Sequence, residues 1–156
     1  MSSSAEQAAA EAIMKAHPDL KVTSESSKTK RWVTAVTTSD SVEEIALSLR
    51  DKLGYVSPVA CGGVDFLKEG IIQLVYYLYN PERRVLLLLK YNVPRDAPKV
   101  KSLCPVWGGM DFHEREAHEM FGIEFEGHPN MIPFLLPPDW RGGHPLRKDF
   151  KGEGTQ

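Results

Sequence analysis

Two periods of apolar residues run along this chain and divide it into helices and strands. Residues 5–16 are alanine-rich and read as a helix, stopped by His17-Pro18. A polar stretch, 23–30, follows. Residues 31–37 alternate Trp32, Thr34 and Val36 against Val33, Ala35 and Thr37, the period of a strand. Asp40 and Ser41 can cap the next helix, with Glu43 and Glu44 three residues on from each. Val42, Ile45, Ala46, Leu49 and Leu53 then recur at helical spacing, and Gly54 stands where a left-handed C-cap belongs. One face of that helix is built to cover a sheet.

Residues 56–66 carry Pro58, Gly62 and Gly63 and read as an irregular or bulged strand. Residues 71–79 and 84–93 are strong strand runs. Between them, Asn80-Pro81-Glu82-Arg83 puts proline at the favoured second position of a type I turn, which makes a hairpin. Residues 85–89 are apolar on both faces, so both faces of that strand are expected to be covered. A proline- and lysine-containing connector, 92–105, leads to a helix over 110–121. At helical spacing Met110, His113, Ala117, Met120 and Phe121 share one face of it, and Asp111, Glu114, Arg115, His118 and Glu119 the other. The expected fold is α+β: a small mixed or antiparallel sheet covered by helices, with a long extended Pro/Gly-rich C-terminal tail.

The tail breaks both periods. Residues 122–150 hold five prolines and four glycines, which exclude helix and spoil central strands. Yet ten large apolar residues lie among them, from Ile123 to Phe150, and disordered segments are poor in such residues. The tail is therefore expected to be ordered, extended and lying on something apolar. Fully extended it could reach roughly 90–100 Å. A docking strap on a partner is the preferred reading; wrapping of its own domain is the alternative. The domain boundaries follow: 1–121 the α+β domain, 122–156 the docking tail.

Composition narrows the chemistry. Of 156 residues 42% are hydrophobic and 26% charged, with a net charge of −2, which suits one folded domain and gives no electrostatic case for nucleic acid. The two cysteines, Cys61 and Cys104, cannot supply the four thiolates of an iron–sulfur cluster or an all-Cys zinc site, and read as buried reduced thiols. The longest uncharged apolar run, 70–81, is far short of the roughly 20 residues of a spanning helix, so any membrane link is indirect. No signal peptide is expected in the polar, alanine-rich first ten residues.

His113-Glu114-Arg115-Glu116-Ala117-His118 resembles a zinc-hydrolase motif but has the wrong spacing. An H-E-x-x-H site needs histidines at i and i+4 on one face; here they are at i and i+5, about 140° apart. The charges of this helix also form i,i+4 pairs, so a solvated face and a partner-facing interface both fit. Gly62-Gly63, Gly108-Gly109 and Gly142-Gly143 form no phosphate loop, and no nucleophile stands beside a base. No catalytic, cofactor-binding or metal-binding residue is expected.

The stretch Glu114-Arg115-Glu116, Glu119-Met120-Phe121-Gly122-Ile123, Phe125 and Gly127-His128-Pro129 continues through Leu135-Leu136-Pro137 and Asp139-Trp140 to Pro145-Leu146-Arg147-Lys148-Asp149-Phe150. It resembles the C-type, 30-kilodalton subunit family of proton-pumping NADH:quinone oxidoreductase, respiratory complex I, and of its relatives. The resemblance implies a non-catalytic peripheral-arm subunit without cofactor, in a membrane-associated, ion-translocating oxidoreductase. It implies a tail laid along the large quinone-site (D-type) subunit, with iron–sulfur subunits as further partners, on the cytoplasmic side of the membrane. Glu119, Ile132-Pro133 and the glycine pair before His144 look more like the archaeal relatives. In those, reduced deazaflavin or ferredoxin feeds a quinone or phenazine. Energy-converting hydrogenases and formate hydrogenlyases carry related domains. An autonomous metal hydrolase is the rival of another class. The expected interface residues are Glu114, Arg115, Glu116 and Glu119 as a charged cluster, with Phe121, Trp140 and Phe150 as apolar anchors. His128 and the charged trio Arg147, Lys148 and Asp149 complete the set.

Overall fold

The computed structural model describes residues 4–26, 31–37 and 41–152. Helix α1, Ala5–Ala16, starts at Ser4, whose hydroxyl accepts from the Gln7 N–H while the Gln7 amide oxygen accepts from the Ser4 N–H. Strands β1, Lys21–Ser26, and β2, Arg31–Thr37, follow. Helix α2, Val42–Asp51, has Ser41 at its N-cap position, but the expected side-chain capping bond is not formed there; Asp40, the other capping candidate, lies outside the described residues. Val42, Ile45, Ala46 and Leu49 form its buried stripe, and Gly54 takes the left-handed conformation (φ 78°) that ends the turn.

Strands β3, Ser57–Phe66, β4, Ile71–Asn80, and β5, Val85–Pro94, are ten residues each. The bulge expected from Pro58 lies between Pro58 and Ala60. The hairpin between β4 and β5 closes through residues 81–84, with Arg84 at φ 54° and the Arg83 N–H donated to Asn80 Oδ1 at 2.9 Å. The sheet is mixed, in the order β1-β2-β5-β4-β3, parallel only between β2 and β5. Two short strands, β6 (Lys99–Lys101) and β7 (Glu124–Glu126), pair in parallel and bracket helix α3, Asp111–Phe121.

β1 escaped the sequence pattern because Lys21–Ser26 is almost wholly polar; it is an edge strand carrying one inward apolar residue, Val22. The tail boundary moves as well. Ile123 is fully buried and Phe125 belongs to the core cluster, so residues 122–126 complete the domain instead of leaving it.

All three helices serve one face of the sheet. Val33, Ala35, Ile72, Leu74, Tyr76, Leu78, Leu87 and Leu89 point to that face and pack with the buried residues of the helices in one core. The expectation that both faces of 85–89 would be covered is corrected: Val85, Leu87 and Leu89 are buried, whereas Leu86 and Leu88 lie half-buried on an open face. The buried residues of the three helices cluster with the opposite face. Cys61 and Cys104 are buried and unpaired.

Candidate docking site

Helix α3 and the segment behind it form the site, and the helix is rotated from its sequence reading. Its core stripe is Met110, Glu114, Ala117 and Phe121, a regular i, i+4, i+7, i+11 series with a glutamate in it. Phe121 can lie flat on β3 because Gly63 opposite has no side chain; a Cβ there would stand 2.7 Å from the Phe121 ring. Phe112, by contrast, points to solvent and is 56% exposed.

Glu114 is removed from the expected interface cluster, since it is fully buried. Its carboxylate accepts from Tyr76 Oη (3.1 Å), Ser102 Oγ (2.5 Å) and the Leu103 N–H (2.8 Å). Burial pushes its pKa up to about 6 despite these donors. The residue ties the loop before α3 to the helix and the sheet. Tyr76 and Ser102 were missed in the sequence, because a glutamate among helical charges carries no sign of facing inward.

Arg115 and Glu119, one turn apart, face the tail and grip its backbone. Arg115 Nε donates to the Ile132 carbonyl at 3.1 Å and Nη2 to the Pro133 carbonyl at 3.0 Å. Its guanidinium lies against two adjoining rings, 5.3 Å from the Phe112 centroid and 4.9 Å from that of Phe134. Those rings stand 5.2 Å apart, centroid to centroid. Glu119 accepts from three successive N–H groups, of Phe134 (2.7 Å), Leu135 (2.8 Å) and Leu136 (3.3 Å). Burial works to raise its pKa, but these donors outweigh it and hold the carboxylate below its ordinary range. Proline supplies no N–H, so the Pro133 carbonyl and the three amides after it suit opposite clamps.

Further contacts bring the tail back along the helix. His128, its side chain 1% exposed, accepts the Asn130 N–H at Nδ1 and points Nε2 at Asp111, 3.7 Å from Oδ1. The Trp140 indole donates to the Gly143 carbonyl at 2.8 Å and lies 6.3 Å from the Phe150 ring. His144 Nδ1 donates to the Glu119 carbonyl at 2.9 Å. Its ring fills the space over Gly122, where a Cβ would collide with it, and Gly122 (φ 72°) is the left-handed C-cap of α3. Arg147 Nε donates to the Phe121 carbonyl at 2.7 Å.

The tail ends in a latch. Asp65 on β3, its side chain wholly buried, accepts from Arg95 Nε (2.7 Å), from Arg95 Nη2 (3.0 Å) and from the Lys148 N–H (2.8 Å). Arg95 Nη2 also reaches Asp149 at 2.5 Å. The Arg95 guanidinium holds both aspartates below the usual carboxylate range. Arg147, the Lys148 backbone and Asp149 thus bind their own domain, and Glu116 is exposed. Asp65 and Arg95 were missed because they sit in strand and connector with no motif around them.

What remains outward is apolar: Phe112, Ile132, Phe134 and Leu135, with Leu146 further along, all 40% exposed or more. Among the described residues no three His, Cys, Asp or Glu side chains gather as a metal site, and no helix is long and apolar enough to cross a membrane.

An α+β domain thus carries a clamped tail whose outer surface is apolar. Residues 35–156 match the family described as respiratory-chain NADH dehydrogenase, 30 Kd subunit, and the chain belongs to that family. It is a peripheral type of subunit of membrane-associated respiratory complexes. It is 33% identical to the C subunit of F(420)H(2) dehydrogenase from Methanosarcina mazei, over 77% of this chain and 76% of that one. It is 41% identical to the C/D subunit of NADH-quinone oxidoreductase from Methylococcus capsulatus over 59% of this chain, spanning 16% of that longer protein. Among solved structures it resembles a chain of the membrane-bound sulfane sulfur reductase, an archaeal respiratory membrane complex. The TM-score is 0.78 at 27% identity, over 90% of this chain and 82% of that one.

Proposed function

We propose that this chain is the non-catalytic C-type subunit of an ion-translocating oxidoreductase, and that its clamped tail seats the large D-type, quinone-site subunit. Electrons pass through iron–sulfur subunits of the same assembly, from deazaflavin, ferredoxin or NADH to a quinone or phenazine. The complex lies on the cytoplasmic side of the membrane, and this chain touches the membrane only through its partners. One observation carries the reading: Arg115 and Glu119 spend their charges holding tail backbone, so that Phe134 and Leu135 face outward. Rigid apolar anchors around a shielded arginine are what interface hot spots are made of. The C/D relative, whose name joins the two types in one protein, supports a D-type neighbour.

Native separation of solubilised membranes tests it. The expected result is co-migration with a D-type subunit, and loss of that co-migration in a Phe134→Asp, Leu135→Asp double variant that still folds. Migration of the wild-type chain alone near 17.5 kDa would sink the proposal.

A further inference from the structure

The open face of the five-stranded sheet is a second surface, remote in character from the clamped tail. Strand register places its side chains in rows. Trp32, Leu86 and Tyr79 form one row; Thr34, Leu88, Tyr77 and Ala60 the next; Val36, Lys90 and Val75 a third, with Lys21 at its β1 end and Gly62 at its β3 end. The middle two strands carry Leu86, Leu88, Tyr77, Tyr79 and Val75 on this face, with Lys90, Gln73 and Asn92 as their polar members and Thr34 beside them on β2. Gln73 and Asn92 satisfy one another at 2.8 Å. Val64 and Phe66 extend the apolar surface on β3, at 43% and 36% exposed.

The size of this face argues for a stable partner. Five strands span about 24 Å and the longest run about 30 Å, on the order of 700 Å² in projection. A standard interface buries ~800 Å² per partner. Isolated globular domains seldom leave large apolar side chains in adjoining rows, as Leu86, Leu88, Tyr77 and Tyr79 are, facing solvent, and Tyr is enriched where proteins meet.

Lys90 decides the partner's chemistry. It lies mid-strand between Val36 and Val75, so anything covering the face strips its ammonium of water. A buried ammonium needs a carboxylate. A second copy stacked centre to centre on a two-fold axis would instead set Lys90 against Lys90, with Lys21 in the same row.

We infer that this open sheet face docks a different protein chain, through an apolar surface of that chain bearing a carboxylate opposite Lys90. The inference rests on the chain being a subunit of a larger assembly, but not on the tail or on what the tail binds.

Tyrosine nitration tests it without any variant. Of five tyrosines, Tyr77 and Tyr79 lie half-buried on the open face, while Tyr55, Tyr76 and Tyr91 are buried in the core and serve as internal controls. The expected result is that Tyr77 and Tyr79 react in the purified chain and are protected at least about tenfold in the intact native complex. Equal reaction in both overturns the inference, as does a purified chain that dimerises and protects the same two tyrosines. A Lys90→Glu variant is expected to melt with the wild type yet be retained in the complex at least about tenfold less. Full retention of that variant overturns the inference while leaving the tail reading intact. A wild-type chain found in no larger assembly overturns both.

Discussion

The sheet-and-helix core and the tail are held together by different physics. The core is held by burial: Leu74, Leu78, Leu87, Leu89 and Ile13 have no exposed surface and give up no polar group. The tail has almost no such burial. Its path is set by charged side chains bonded to backbone, Arg115 on two carbonyls and Glu119 on three amides, and by the Asp65–Arg95–Asp149 latch. An apolar core tolerates many sequences of the right period, whereas the tail depends on a few charges at fixed places.

Four experiments would break or sharpen that contrast. The largest effect is expected in the core, where Leu87→Ala leaves a cavity and costs about 2–5 kcal/mol, read as a lowered denaturant midpoint for the whole chain. Asp65→Ala comes next. It removes the acceptor of two Arg95 bonds and of the Lys148 N–H, leaving Arg95 with the exposed Asp149 alone, at about 3 kcal/mol, and is expected to expose the tail's end to proteolysis before global unfolding. If the end stays protected, the latch is not what holds it.

Glu114 gives the third, with a sign. Its folded pKa, about 6, lies above the ordinary 4.5, so folding favours the protonated form. That stability is full below pH 4.5 and is lost as pH rises through 6, an effect on the order of 2 kcal/mol. Asp65 and Glu119, held below their ordinary values, act oppositely and lose their contribution as pH falls into the acid range. A Glu114→Gln variant is expected to lose the decline between pH 4.5 and 6 while keeping the acid limb, as read from urea midpoints across pH. The smallest global effect belongs to Glu119→Ala. Hydrogen exchange at the Phe134, Leu135 and Leu136 amides is expected to quicken about tenfold, with the melting temperature nearly unchanged.

The same contrast explains what the sequence could reveal. Periodicity carried α1, β2, α2 and the β4–β5 hairpin, and the turn and cap glycines carried their ends, because burial leaves a repeating trace. The polar edge strand Lys21–Ser26 left none. Neither did the pairing of β6 with β7, whose partners lie 25 residues apart, as Lys99 and Glu124 do. The turn of α3 was misread for a related reason. Glu114 counts as polar in any pattern, although three donors inside the fold make it a core residue. The family resemblance put Arg115, Glu119, Arg147, Lys148 and Asp149 at an interface; that Arg115 and Glu119 grip the tail's backbone, and that Arg147, the Lys148 backbone and Asp149 bind the domain, was not legible, since one charge can serve a neighbour or its own chain.

The grip of Arg115 and Glu119 also bears on how fast the chain can find its place. A loose tail would have to lose its chain freedom on the partner's surface, residue by residue, and many collisions would fail. Here residues 132–136 already hold one conformation in the free chain. Under the proposed docking, encounter requires only the orientation of two rigid patches, which places association in the ordinary range of about 10⁵–10⁷ M⁻¹s⁻¹ and leaves the lifetime of the joined state to the anchors.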